Sequence, residues 1–139
     1  MSVLNNLTGK LWGGFAPRIA EIQNRVSQDK ISLQVYPSDY FQNFNPNAEF
    51  TKWASVEVSE DSSVPEGLQL FEIPAGTYAI FDYVGSSADS SIFQYIYSQW
   101  IPNSKYQLDD RPHFEVLGSK YKNNDPTSEE EIWIPVVEK

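Results

Sequence analysis

Glu115 is the side chain whose setting in the sequence most suggests ligand chemistry. It lies in the short run PHFEV (residues 112–116), where strand alternation places it on the same face as His113 and opposite Phe114 and Val116. Burying a carboxylate without a partner is costly, so such an acid either lies at the rim of a sheet facing water or lines a pocket that receives a cation. A pocket with aromatic walls would suit an organic cation, because each ring face adds a cation–π attraction of about 0.5–2 kcal/mol.

The chain is rich in aromatic residues, with eight Tyr, eight Phe and four Trp among 139 residues. In the run EIWIP (residues 131–135), alternation separates Trp133 from Ile132 and Ile134, and we expect Trp133 to wall a cavity that contains Glu115. Any single ring is more typical of a core than of a ligand wall, yet the total exceeds what an ordinary core requires. The candidate ring residues are Tyr36, Tyr97, Trp12, Trp53, Trp100 and Trp133.

Several reaction classes lack the residues that they need. The chain has no cysteine and a single histidine, His113, so thiolate chemistry and a histidine cluster for a metal ion are excluded. It contains neither a GxSxG nucleophile motif nor a phosphate-binding glycine loop. The sequence therefore predicts no metal and no cofactor, and it favours an exposed strand position for His113.

The charge balance points away from nucleic acids. Ten basic residues against 19 acidic residues give a formal net charge of −9, which repels phosphate backbones and attracts cations. No basic leader with an apolar run opens the chain, and no segment has the length of a membrane span. We expect a cytoplasmic protein that binds neither nucleic acid nor membranes directly, with residues 1–139 forming one domain.

The hydrophobic pattern predicts two similar units in tandem. The first, at about residues 1–60, reads helix, strand, strand, and the second, at about residues 67–139, adds a strand before its helix. Gly13, Gly14 and Pro17 weaken the first helix, so we expect it to bend or to start late. The predicted helices cover residues 7–26 and 90–101, and the predicted strands cover residues 31–37, 52–58, 69–73, 77–84, 113–117 and 131–137.

These units together predict an α+β fold. Two units related by a pseudo-twofold axis would form one antiparallel sheet with both helices on one face, and would leave a cleft between them, where ligand sites tend to lie. The first strand of the first unit is missing, because only residues 1–6 precede the helical pattern. The sheet edge left open there could pair with a second copy of the chain, which makes a homodimer a hypothesis.

Four motifs in the second half carry a family resemblance. They are EIPAG (residues 72–76), WIPNS (100–104), PHFE (112–115) and EIWIP (131–135). Their order and spacing resemble the GyrI-like family of small-molecule-binding domains, which also form the effector-binding halves of multidrug-responsive transcription regulators within the SOUL/haem-binding-like superfamily. The first half matches more loosely, and the resemblance spans nearly the whole chain.

This resemblance implies a cleft for amphipathic, often cationic, aromatic compounds. The family's glutamate corresponds to Glu115, which would pair with the positive charge of the ligand. Tyr36, Trp100 and Trp133 correspond to the aromatic walls. We therefore expect a stand-alone binding module that lacks a DNA-reading domain of its own.

Two other function classes stay open. Members of the wider superfamily hydrolyse small electrophilic rings, and here Glu115 would handle a proton or orient water while Tyr36 stabilises charge. Other relatives inhibit gyrase as protein partners, in which case the acidic surface rather than the pocket would act. The sequence ranks a binding protein above a hydrolase and above a protein inhibitor.

Overall fold

The structure of the chain, a computed structural model, describes residues 1–43, 45–59 and 63–139. Its strands are β1 (Lys30–Val35), β2 (Thr51–Ser55), β3 (Tyr78–Val84), β4 (Tyr106–Leu108), β5 (His113–Leu117) and β6 (Glu129–Glu138). Its helices are α1 (Thr8–Phe15), a 3-10 helix (Ala16–Glu21), α2 (Ser91–Tyr95), a π-helical segment (Ile96–Trp100) and α3 (Ile101–Asn103). No helix in these ranges is long and apolar enough to cross a membrane.

The N-terminal helix is shorter than its apolar stripe predicts. Just before it, the side-chain oxygen of Asn6 accepts a hydrogen bond from the backbone N–H of Thr8, the first residue of α1, at 3.0 Å. The α-helical part ends at Phe15, and Pro17 stands in the first turn of the 3-10 helix that follows. Because proline has no N–H to donate, the chain changes its hydrogen-bond pattern at this point instead of continuing as one helix to residue 26.

The segments α2, π-helix and α3 follow one another without a break and are called here the second helix. At its start, the carboxylate of Asp89 accepts a hydrogen bond from the backbone N–H of Ser91, the first residue of α2, at 2.9 Å. Pro102, near its end, cannot donate to the carbonyl of Ser98 and would crowd it in a regular α-helix. The wider π-helical turn before Pro102 relieves that contact.

The six strands form one antiparallel sheet in the order β2-β1-β5-β6-β3, and β4 pairs with the C-terminal end of β6. The arrangement is nearly symmetric about the central pair of strands, β1 and β5, which confirms the predicted α+β fold.

In the described part of the chain β2 has no outer neighbour equivalent to β3. Met1 exchanges two backbone hydrogen bonds with Phe50 just before β2, of 2.9 and 3.0 Å. The homodimer hypothesis depends on the open edge of β2.

Two strand assignments differ from the sequence prediction. The strand predicted at residues 69–73 is wrong, because this segment pairs with no other strand in the described part of the chain. The Phe71 ring instead lies 6.5 Å from the ring of Trp53. β4 was not predicted, since three residues are too few to show a period of two.

The sheet has two chemically different faces. Ile132, Ile134 and Val136 of β6 pack against Ile96 and Ile101 of the second helix, and this side is called here the helix face. The opposite side, called here the far face, carries a row of directly paired residues across five strands. In order, the row consists of Trp53, Leu33, Phe114, Trp133 and Ile80.

Candidate functional site

Glu115 lies in the middle of the sheet on the helix face. β5 runs between β1 and β6, so Glu115 stands opposite Ser32 on one side and Ile132 on the other. Its side chain is partly buried, and its Oε2 accepts a hydrogen bond from Nε2 of Gln34 at 3.0 Å. Burial raises the pKa of the Glu115 carboxyl, while the positive charge of Lys52 and the hydrogen bond from Gln34 offset part of that rise.

Two further ionisable side chains share this face. Lys52 stands opposite Gln34 in β1, and Glu130 lies two residues before Ile132 in β6, so alternation puts both on the side of Glu115. Burial, together with the negative charge of Glu115, raises the pKa of Glu130 to about 7, although the positive charge of Lys52 opposes the rise. Burial lowers the pKa of Lys52, and the negative charges of Glu115 and Glu130 offset part of that change. Lys52, Glu115 and Glu130 are called here the charged cluster.

The raised pKa of Glu130 makes the stability of the fold depend on pH. The unfolded chain loses this proton near the ordinary pKa of 4.5, whereas the folded chain keeps it to about 7. The unfolded state therefore binds fewer protons in this window, and the free energy of unfolding falls as the pH rises from 4.5 to 7 and then levels off. Glu130→Gln removes the titrating group. Between pH 5 and pH 7.5, we therefore expect the free energy of unfolding of this variant to rise by about 1 kcal/mol relative to that of the unaltered chain.

Urea unfolding at the two pH values measures this difference directly. The matched control is Glu129→Gln, because Glu129 is exposed, lies on the far face and pairs with Lys120 at 3.7 Å. The control should keep the pH dependence of the unaltered chain. The same pH dependence in all three proteins would contradict a proton held at Glu130.

Aromatic rings surround one end of this site. The ring centroid of Tyr36 lies 4.6–5.0 Å from those of Tyr40, Phe41, Phe50 and His113. The Phe41 ring stacks on His113, with centroids 5.3 Å apart and planes 18° apart, and its centroid lies 4.8 Å from that of the Tyr97 ring. Four of the rings, those of Tyr36, Tyr40, Phe41 and Phe50, come from the loop between β1 and β2. The aromatic cluster, as it is called below, consists of Tyr36, Tyr40, Phe41, Phe50, Tyr97 and His113.

His113 is buried, with 4 % of its surface exposed, so the prediction of an exposed strand position is wrong. It lies on the helix face of an interior strand, where Tyr36 and Phe41 cover it. Its Nδ1 forms a hydrogen bond of 2.9 Å with the hydroxyl of Tyr97. The tautomer of the imidazole decides which of the two groups donates. Burial lowers the pKa of His113 to about 3, so the ring is neutral at physiological pH.

Two cavities adjoin Tyr36. The one beside Glu115 has a volume of about 10 Å³, which is room for about one water molecule. Its lining residues are Gln34, Tyr36, Phe93, Tyr97, His113, Phe114, Glu115, Ile132, Trp133 and Ile134. The second, of about 350 Å³, is open to the surface beside Met1 and the exposed Glu49. The smaller cavity is the candidate site, because the Glu115 carboxyl, Tyr36 and Tyr97 line it together.

The chain is similar to known proteins over nearly its whole length. Residues 2–136 match the sequence model of Cass2, described as an integron-associated effector binding protein, and this match covers nearly the whole chain. The chain belongs to the Cass2 family. The transcriptional regulator BrlR of Pseudomonas aeruginosa is 31% identical over 130 residues, which are 92% of this chain and 46% of the regulator. The chain thus spans about half the length of that relative, and the GyrI-like effector-binding domain expected from the four motifs is confirmed.

In this Cass2-family chain, four of the predicted site residues lie together. The small cavity is lined by Glu115, Tyr36, Tyr97 and Trp133. Tyr36 follows the end of β1, Glu115 is in β5, and Tyr97 is in the π-helical segment of the second helix. The cavity therefore lies where one unit of the tandem meets the other.

The rings of the four tryptophans predicted as site residues do not face Glu115. Trp133 contributes to the wall of the small cavity, but its ring is on the far face, stacked on Phe114 at 5.1 Å and 20°. Trp53 is on the far face as well. The ring of Trp100 packs against Phe81 and Tyr106 in the core, and that of Trp12 contacts Phe15 in the N-terminal helix.

Sequence reasoning missed most of the side chains that surround Glu115. Lys52 and Glu130 carried no local signal, because their relation to Glu115 depends on strand register. Phe41 had a weak signal, since it stands in a loop whose sequence is rich in both polar and aromatic residues. Among the described residues, no three His, Cys, Asp or Glu side chains are placed to hold a metal ion.

Proposed function

We propose that this chain binds amphipathic aromatic cations at Glu115, between the second helix and the sheet. As a member of the Cass2 family it is a small-molecule-binding module, since that family is described as effector binding. The observation that carries the proposal is Glu115 itself, a partly buried carboxylate that lines a cavity together with Tyr36 and Tyr97. A bound cation would stabilise the ionised carboxylate, and the ring faces would attract the same charge.

Binding requires some of the surrounding rings to move. A cavity of about 10 Å³ is far below the roughly 300 Å³ or more that a drug-sized ligand occupies. Phe41 is the ring best placed to leave: it lies in a loop, 36 % of its surface is exposed, and it stacks flat on the buried His113. A planar aromatic ligand could stack on His113 in its place.

We expect Phe41→Ala to bind aromatic cations about 2- to 10-fold more tightly than the unaltered chain. An aromatic pair is worth about 0.5–1.5 kcal/mol beyond its buried area, and the variant no longer has to break the pair of Phe41 with His113 before the ligand enters. The matched control is Phe71→Ala, because Phe71 is 51 % exposed and its ring lies near Trp53 instead. A loss of affinity in Phe41→Ala would instead make Phe41 a wall of the bound site.

The proposed function is tested with a cation and a neutral compound of similar shape. Ethidium carries one positive charge on a planar phenanthridinium ring system, and 6-phenylphenanthridine is its neutral counterpart. Fluorescence titration of the unaltered chain should give at least tenfold tighter binding of ethidium. Equal affinities for the two compounds, or no binding of ethidium, would refute a cation site.

A second candidate function is hydrolysis of small electrophilic compounds. The observation in its favour is the raised pKa of Glu115, because an acid that holds its proton closer to neutral pH suits proton transfer, and Tyr36 lines the same cavity. An epoxide incubated in excess over the protein distinguishes the two functions. Product formed over many turnovers would favour the hydrolase, whereas stoichiometric binding without product would favour the binding module.

A further inference from the structure

Lys52 is a basic side chain on the face of the sheet that carries Glu115, and cation binding at Glu115 gives it no role. It is partly buried and stands opposite Gln34, the residue whose amide holds Oε2 of Glu115 at 3.0 Å. Gln34 is itself buried, so this bond fixes the carboxylate on the side of the sheet that Lys52 shares. Lys52 therefore shares the helix face with the acid that would receive the ligand, and β1 lies between their two strands.

Lys52 acts on the two glutamates from a distance. Its charge interacts with those of Glu115 and Glu130. In the described ranges of the chain, however, the ion pairs within 4.0 Å are formed by other residues. Lys52 thus shapes the electrostatic potential at Glu115 without a close contact that would cover the carboxylate.

The charged cluster combines two acids with one base. At a pH above the Glu130 pKa of about 7, with all three groups ionised, the net charge of the cluster is −1, since two negative charges and one positive charge add. A ligand with one positive charge brings the cluster to neutrality. A ligand with two leaves an excess positive charge near Lys52, in a region partly withdrawn from water where charges are screened weakly.

We propose that Lys52 sets the charge selectivity of the site, so that the site takes compounds with one positive charge and rejects those with two. This inference rests on the proposed cation site at Glu115. Lys52 repels the second charge of a dication, while Gln34 keeps Glu115 oriented toward the first. Lys52 is therefore a specificity-determining residue, and it has this effect without touching the ligand.

Ethidium and propidium test this role, because they share the phenanthridinium ring system and carry one and two positive charges. Propidium also has a bulkier tail, so the measured quantity is the ratio of the two Kd values in each variant, in which the effect of size cancels between variants. Lys52→Met removes the charge at nearly constant length, and we expect it to shift this ratio about 10- to 100-fold in favour of propidium. Lys52→Arg keeps the charge and should keep the ratio of the unaltered chain.

Lys105→Met is the matched control for the loss of one positive charge. Lys105 is exposed and pairs with Glu138 at 3.5 Å, at the end of β6 far from Ile132 and Glu115. Lys105→Met should leave the ratio of the two Kd values unchanged. This result would separate a local effect of Lys52 from an effect of the net charge of the protein.

The outcomes separate the role of Lys52 from the cation site itself. An unchanged ratio in Lys52→Met, or an equal shift in Lys105→Met, would overturn the role of Lys52 and leave the cation site standing. If the unaltered chain binds ethidium no better than 6-phenylphenanthridine, the cation site fails and the selectivity fails with it. Circular dichroism confirms that each variant is folded, and Lys52→Gln replaces Lys52→Met in the same comparison if the methionine variant does not fold.

Discussion

We expect Glu115→Gln to weaken ethidium binding by about 1–3 kcal/mol, which is about 5- to 150-fold in Kd. Glutamine has the shape of glutamate, and its amide oxygen can still accept the hydrogen bond that Gln34 donates to Glu115. The exchange therefore removes the negative charge and leaves the packing of β5 against β1 in place. The cation would also face Lys52 with only Glu130 to oppose it. Fluorescence titration of ethidium measures the loss.

Two controls make this result specific to charge at Glu115. The neutral 6-phenylphenanthridine should lose less than about threefold in affinity for Glu115→Gln, since it brings no charge to neutralise. Glu131→Gln makes the same chemical change in the neighbouring strand but on the far face, where Glu131 accepts a hydrogen bond from Nε1 of Trp133 at 3.2 Å. This control should bind ethidium like the unaltered chain. Equal losses for the cation and the neutral compound would rule out a charge role for Glu115.

The largest effect on stability is expected from Ile134→Ala. Ile134 is 1 % exposed and packs in the core between β6 and the second helix, together with Ile96 and Ile132. Truncating it removes buried apolar surface and leaves a cavity that the surrounding strands cannot fill. We expect the free energy of unfolding to fall by about 2–5 kcal/mol, measured by urea unfolding.

Ile80→Ala is the matched control for this loss. Ile80 is in the neighbouring strand β3, but it lies on the far face and is 50 % exposed. The same truncation there should cost about 1 kcal/mol or less, because little buried surface is lost. Similar losses in the two variants would show that the helix face is not the main core of the sheet.

The sequence predicted the elements whose signal is local. β5 has the bounds that alternation predicted, and β6 and the second helix begin and end within a few residues of the predicted positions. The face of Glu115 also followed from a period of two, because neighbouring side chains of a strand must point to opposite sides. The effector-binding family followed from four motifs that occupy fixed places in the second half of the chain.

Other features depended on contacts between distant residues. The burial of His113 results from rings of the β1–β2 loop and the second helix, and no pattern within β5 could indicate that cover. The ring of Trp133 was expected to wall the space around Glu115. Its place on the far face follows from the pairing of Trp133 with Phe114, while Glu115 pairs with Ile132.

Residue order alone specified which side chains could carry a charge or a ring, and which of them share a face within one strand. It could not specify which strands become neighbours or in what register, and these choices bring Lys52, Glu115 and Glu130 onto one surface of the sheet. The physical reason is that strand pairing depends on contacts between distant residues. One face of the sheet packs its core against the second helix, and the other face pairs its large side chains across the strands. A shift of one residue in any strand would turn its charged side chain to the opposite side of the sheet.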